Sequence, residues 1–404
     1  MVTKLKSELL ETEHKETKDL ILNLGPSHPS MHGIIHNVVE LEDETIKKAT
    51  PVVGYLHRAF EKLAEQEHYQ QFNVHMDRLN YVSAPINNVG WNCAIEKLLG
   101  IETPKKVDYV RVIFSELARI ADHIVCLGIL GVDLGAYTPF LYVWHQREKI
   151  YQIYESMTGA RLTTNFSRIG GLERDIPGDF VQRVQAFLKE FPSALNEFDQ
   201  LLTRNKIFYD RTRGISPVTA EDAIARGFSG PNLRAAGVAK DLRKQRPYSS
   251  YQDFDFDIPV GTSGDCYDRY SVRLMEMRES LKIIKQALDN LDVKGPWHAD
   301  VPKIYLPEKK EVYTQMKALI IHFKIIMDGV CPPKKDLYFA VEATNGELGW
   351  YIVSDGTGKP YRVHLRRPSF WTYQNIPSLI EGGYIADAVA TISSLNIIAG
   401  ELDA

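Results

Sequence analysis

The chain has 404 residues, of which 44% are hydrophobic and 25% charged, a globular composition long enough for two or three ordinary domains or one large one. A formal net charge of −4 and a pI near 6.3 exclude a general electrostatic pull toward nucleic acid or an anionic membrane surface, so basic function must come from local clusters. Strongly apolar stretches such as residues 318–327 run for about ten residues, half of the roughly twenty that a membrane span needs. Four cysteines stand at 93, 126, 266 and 331 with no CxxC pair, which excludes a disulfide framework and any self-contained cysteine-rich zinc or iron–sulfur site and points to a reducing compartment.

Residues 1–19 mix charges throughout, lack the apolar stretch of a signal peptide, and read as a flexible N-terminal tail. Residues 34–41 and 46–53 are rich in Ile and Val around an acidic turn at 42–45, the pattern of a β-hairpin. The pattern turns helical after Gly54, through about Tyr69, and a further helix runs from about Ser83 to a terminating Gly100. The clearest periodicity spans residues 106–130: Val110, Ile113, Phe114, Leu117, Ala121, Ile124 and Leu127 form one stripe, with Arg111, Glu116 and Arg119 off it. Gly131–Gly135 interrupts it, and helices are expected over 136–157, 180–202 and 266–291. Residues 228–262, with a basic stretch at 234–246 and the tract DFDFD at 253–257, read as a long ordered loop. Strands return between 337 and 365, where 351–354 and 361–365 flank the turn 355–359. The fold class is mainly α with small β regions (α+β), built on a helix-bundle core. Its divisions are an N-terminal α+β region at 20–75, a bundle at 76–330 and a C-terminal β-containing segment at 331–404.

His28, His32 and His36 recur every four residues, the spacing of metal ligands on one helical face. Gly25-Pro26, Pro29 and Gly33 break any helix there, leaving a stiff loop (GPSHPSMHG) suited to presenting an imidazole. Gly356-Thr-Gly358-Lys359 lacks phosphate-loop spacing and reads as a hairpin turn, and no GxGxxG or nucleophile elbow supports nucleotide binding by this chain. The arginines at 234–246 and 362–367 fit an interface or a cofactor's surroundings better than nucleic acid. Asp133 is either a helix-end cap or a buried carboxylate in need of a partner. Tyr81 is one phenol among 20, and Arg58 stands near a helix start, where exposure is the default.

GPSHPSMHG (25–33), GYLHRAFEKL (54–63), MDRLNYVS (76–83), EKLLGIETP (96–104), ELARIADHIVCLGILGVDLGA (116–136), REKIYQIYESMTGAR (147–161), GTSGDCYDRYSVRLMEMRESLKII (261–284) and the ending AGELD (399–403) resemble, in order and over nearly the whole chain, the 49 kDa (D) subunit family of respiratory complex I, NADH–quinone oxidoreductase. The resemblance implies a helix-bundle fold related to the nickel–iron hydrogenase large subunit, with the ancestral metal cavity reused for a quinone headgroup. It implies His32 and Tyr81 as the groups that hydrogen-bond the quinone and supply protons, Asp133 as the partner that orients His32, Arg58 as a cation near the terminal 4Fe-4S cluster held by a partner subunit, and His28 as a shaper of the loop. It further implies electrons from NADH bound elsewhere, proton translocation in membrane subunits, and partners B (carrying the cluster), C and H (forming the quinone channel). The location implied is peripheral, on the cytoplasmic side of a bacterial inner membrane, with no metal, nucleotide or nucleic acid held by this chain. Thr163 stands where many members have a histidine near the cluster, a departure that weakens redox-linked proton uptake there and favours a low-potential quinone such as menaquinone. The rival readings are a hydrogenase-like large subunit of a related membrane complex and a purely structural docking subunit.

Overall fold

The computed structural model describes residues 20–301 and 304–404; the expected N-terminal tail lies outside them. The hairpin forms as His36–Glu42 against Thr45–Val52, and Leu20–Leu24 adds a third antiparallel strand on its outer side. Asn37, Val39 and Leu41 alternate inward, as a period of two requires. The helical stretch expected over 54–69 is instead two short helices, Phe60–Gln66 and Tyr69–Met76. Ala59 is left-handed at the start, Glu67 is extended at φ −105°, and the His68 backbone N–H, donating to Gln71 Oε1 at 3.2 Å, opens the second helix.

Helices Ala84–Leu99, Lys105–Asp133, Tyr137–Thr158, Phe180–Thr203 and Cys266–Asp289 occupy the positions expected for the bundle, and Gly100 ends the first of them in the left-handed conformation at φ 71°. Lys105–Asp133 is the axis: it packs on Cys266–Asp289, Tyr137–Thr158, Ala84–Leu99 and the C-terminal helix Ile385–Leu395. A sheet of Lys335–Ala343, Gly346–Ser354 and Arg362–Arg366 lies against Ala84–Leu99 and contributes Val341, Leu348, Trp350 and Val363 to the main core. A second core lies under the N-terminal sheet, where Leu24, Val39 and Ile46 meet Ile376, Leu395 and Leu402. The N-terminal sheet and the C-terminal helices are thereby packed together. The segment 228–262 is ordered and carries short helices at Gly230–Ala235 and Leu242–Gln245. Among the described residues no helix is long and apolar enough to cross a membrane.

Arg111, Glu116 and Arg119, off the apolar stripe of the axial helix, are as buried as the stripe itself. Arg234 and Arg243, expected at an interface or beside a cofactor, are also closed to solvent and serve the same internal lattice. Arg234 reaches Glu276 (Nε–Oε1 2.7 Å) and Glu342 (Nη1–Oε1 2.7 Å). Glu276 also meets His123 at 2.8 Å, while Arg243 pairs with Asp241 at 2.6 Å and Glu116 at 3.1 Å. The hydroxyls of Tyr251 and Ser280 donate to Glu116 at 2.7 and 2.6 Å. Burial alone would raise the Glu276 carboxyl, but the Arg234 guanidinium and His123 hold it well below the usual carboxylate range. Removing one ion from such a lattice strands its partners. Arg234→Met is expected to destabilise the fold by roughly 3–5 kcal/mol, read as a lowered thermal midpoint of the complex carrying the variant; an unchanged midpoint contradicts this account.

Candidate functional site

The histidine loop is stiff for reasons visible in its backbone. Gly25 has φ 94°, and a Cβ there would sit 2.0 Å from the Ile35 carbonyl oxygen, so only glycine lets the loop close onto the strand entrance. His28 is extended and its Nδ1 accepts from the Ser30 N–H at 3.3 Å, capping the single turn Pro29–Met31, whose Met31 side chain is fully buried. His32 follows in the left-handed region at φ 53°, an unfavourable conformation for a histidine that the anchored turn imposes. The three regularly spaced histidines go separate ways: His36 bonds Tyr55 Oη at 2.9 Å and Asn23 Oδ1 at 3.0 Å. Among the described residues no three His, Cys, Asp or Glu side chains gather around a point where a metal ion fits.

His32 Nε2 lies 2.7 Å from Oδ2 of Asp133, the last residue of the axial helix. Ser393, on the helix Ile385–Leu395, donates its hydroxyl to the same Oδ2 and stands 3.2 Å from His32 Nε2. The His32 and Asp133 side chains are only 13% and 8% exposed. A carboxylate takes up Nε2–H, so the imidazole is fixed in orientation and Nδ1 is left with no partner among the described residues.

Tyr81 and Arg58 form a neighbouring group. Arg58 donates to the carbonyls of Arg78 at 2.8 Å and Gly400 at 3.2 Å, so it is half-buried rather than exposed. Gly400 is pressed between these residues: a Cβ there would lie 2.6 Å from the Leu79 carbonyl oxygen and 3.1 Å from the Tyr81 ring. Tyr81 packs in a small apolar cluster with Val82, Val125, Ile129, Trp144 and Ile398, and its hydroxyl makes no hydrogen bond within the described residues. Burial pushes its phenol up, reinforced by the Asp122 carboxylate and opposed by Arg58. The segment 398–403 therefore lies between the two groups: a Cβ at Gly33 would come to 3.9 Å from Ala399 Cβ, and Gly400 is close to Tyr81 and accepts from Arg58. No hydrogen bond links Tyr81 to His32 directly. Thr163 lies in the left-handed region at φ 53°, uncommon for a β-branched side chain.

Three groups that the sequence did not single out stand beside these residues. Ser393 is the first. Asp122, fully buried, accepts from Asn80 Nδ2 at 2.7 Å and Asn396 Nδ2 at 2.8 Å. Glu401, also fully buried, accepts from Ser369, and burial raises its carboxyl to about 7, with Asp122 adding to the shift. An isolated Ser, Asp or Glu in an apolar helix carries no local signal of such partners.

The model of the respiratory-chain NADH dehydrogenase 49 kDa subunit family matches residues 133–404. A D subunit of the NADH-quinone oxidoreductase of Cytophaga hutchinsonii, the second of that name, is 54% identical over 397 residues, covering 98% of this chain and 100% of the relative. The D subunit from Leptospira biflexa is 56% identical over 384 residues (95% of this chain, 94% of the relative), and that from Myxococcus xanthus is 48% identical over 390 residues (96% and 94%). With a family match over the C-terminal two-thirds and relatives aligned almost end to end, the chain belongs to the 49 kDa (D) subunit family of respiratory complex I, NADH–quinone oxidoreductase.

Proposed function

We propose that His32, Asp133 and Ser393, together with Tyr81, form the quinone-reduction site of a proton-translocating complex I. The observation that carries this reading is the 2.7 Å contact between His32 and Asp133, 101 positions apart, in a molecule where His32 Nδ1 and the Tyr81 hydroxyl are left as unpaired polar atoms. Reduction of a quinone needs two electrons and two protons and yields a quinol. The electrons originate from NADH bound in another subunit and arrive through a 4Fe-4S cluster held by a partner subunit. The protons go to the two carbonyl oxygens, one from His32 Nδ1 and one from the Tyr81 hydroxyl, and both groups are reprotonated from solvent. Asp133 is a positioning residue: it accepts from Nε2–H and so sets the direction in which Nδ1 is presented to the substrate. Ser393, bonded to the same carboxylate oxygen, keeps Asp133 in its rotamer. The permanent charge of Arg58 lies on the Tyr81 side, where it would favour the reduced form of a cluster that a partner subunit holds nearby. The chain sits, on this reading, at the base of the hydrophilic arm, peripheral to the cytoplasmic face of the bacterial inner membrane, with the B, C and H subunits as neighbours. Thr163, unable to titrate near the cluster, fits menaquinone as the native acceptor.

Three substitutions test this in the assembled complex. His32→Ala is expected to lower quinone reduction by roughly 10²-fold or more, with NADH oxidation by an artificial acceptor unchanged; full quinone reductase activity in this variant reduces the chain to a docking role. Tyr81→Phe removes a hydrogen bond to the substrate, so its KM for a soluble quinone should rise by about tenfold, the equivalent of roughly 1.5 kcal/mol. Asp133→Asn keeps the shape but loses the charge, and kcat should fall while KM changes little. Equal effects on kcat and KM would show that Asp133 binds substrate instead of orienting His32.

A further inference from the structure

Arg147 is a half-buried cation that makes no ion pair among the described residues. Its side chain is largely enclosed, its Nε is shut off from solvent without a hydrogen-bond partner, and no ion pair or hydrogen bond reaches its guanidinium among the described residues. Burial lowers its pKa, the sign of a charge poorly compensated where it stands. The nearby carboxylates are already engaged: Glu148 pairs with Arg161 at 2.7 Å, and Asp122 is enclosed by its own amide donors. The guanidinium is nonetheless held rigidly, 4.4 Å from the Trp144 ring and 4.6 Å from the Tyr151 ring, one turn to either side on the same helix face. Tyr151 Oη is likewise buried without a partner. Along the same face toward the helix start, Tyr137 and Leu141 are each 66% exposed. An aromatic-clamped arginine with an unanswered phenol, bordered by exposed Tyr and Leu, has the composition of an interface hot spot.

We propose that this face of Tyr137–Thr158 is a docking surface for a neighbouring subunit, and that Arg147 and the Tyr151 hydroxyl receive a carboxylate from an Asp or Glu side chain of that neighbour. The planar fork of arginine takes a carboxylate with two parallel N–H···O bonds, and the clamp by Trp144 and Tyr151 means that little rotamer freedom is lost on binding. The charge complementarity selects an acidic side chain; the exposed Tyr137 and Leu141 select apolar residues beside it. Trp144 also packs in the cluster that holds Tyr81, so the docked neighbour covers that end of the molecule. This inference rests on membership of a multi-subunit complex and not on the roles of His32 and Tyr81.

The test uses the purified complex. In its experimental structure a partner carboxylate oxygen is expected within about 3 Å of the Arg147 guanidinium; Arg147 facing water, a lipid phosphate or the quinone overturns the proposal. In cells, Arg147→Glu should cut recovery of the intact complex by at least about tenfold, judged by subunit stoichiometry at equal levels of this chain, and Arg147→Lys, which keeps the charge and loses the fork, should fall between. Normal assembly of Arg147→Glu is a refutation. His32→Ala is expected to assemble normally, so failure here and failure of the quinone reading give different patterns.

Discussion

The buried ion lattice around Arg234 and Arg243 is the constraint on which the rest of the molecule depends. It joins the axial helix, through Glu116, Arg119 and His123, to Cys266–Asp289 through Glu276 and Ser280, to the 228–262 segment, and to the C-terminal sheet through Glu342. Charges out of water are costly unless each finds its counter-ion and its remaining hydrogen bonds, so the lattice tolerates one arrangement of these elements and penalises every displaced one. A bundle held by apolar stripes alone can slide; this one has a fixed register.

That register matters because the axial helix ends in Asp133. A helix is a rod rising about 1.5 Å per residue, and one locked along its middle delivers its terminal side chain to a defined point. The histidine loop is brought to the same point from the other side by the N-terminal sheet, which is itself seated on residues 376–402. The segment 398–403 then acts as a wedge, with Ala399 on the side of Gly33 and Gly400 against Tyr81 while its backbone receives Arg58. Stretches remote in sequence are thus assembled around one short strip of backbone that has no room for a side chain at Gly400.

The placement of counter-ions separates the lattice from the candidate sites. The arginines of the lattice have their counter-ions inside the chain and are closed to any external anion. His32 Nδ1, the Tyr81 hydroxyl and the Arg147 guanidinium differ: none has an ion-pair or hydrogen-bond partner among the described residues. A substrate or a neighbouring subunit that supplies the missing partner gains a hydrogen bond or ion pair at these places.

Local pattern was enough for the bundle helices, the two hairpins and the stiffness of the histidine loop, because apolar period, β-branched runs and Gly/Pro placement act over a few residues. It was not enough for the break at Glu67–His68, where an extended residue and a side-chain cap outweigh continuous helix propensity, nor for the outer strand Leu20–Leu24. The motif resemblance named His32, Asp133, Tyr81 and Arg58, but spacing alone left the histidines open to a metal reading and Asp133 to a capping one. Ser393, the buried pair Asp122 and Glu401, and the unanswered Arg147 appear only in three dimensions. The sequence by itself determined which segments are helix or strand and which residues are chemically unusual; the tertiary structure alone decided which charges are neutralised inside and which are left open. Partnership between residues a hundred or more positions apart is set by packing, and no local propensity carries that information.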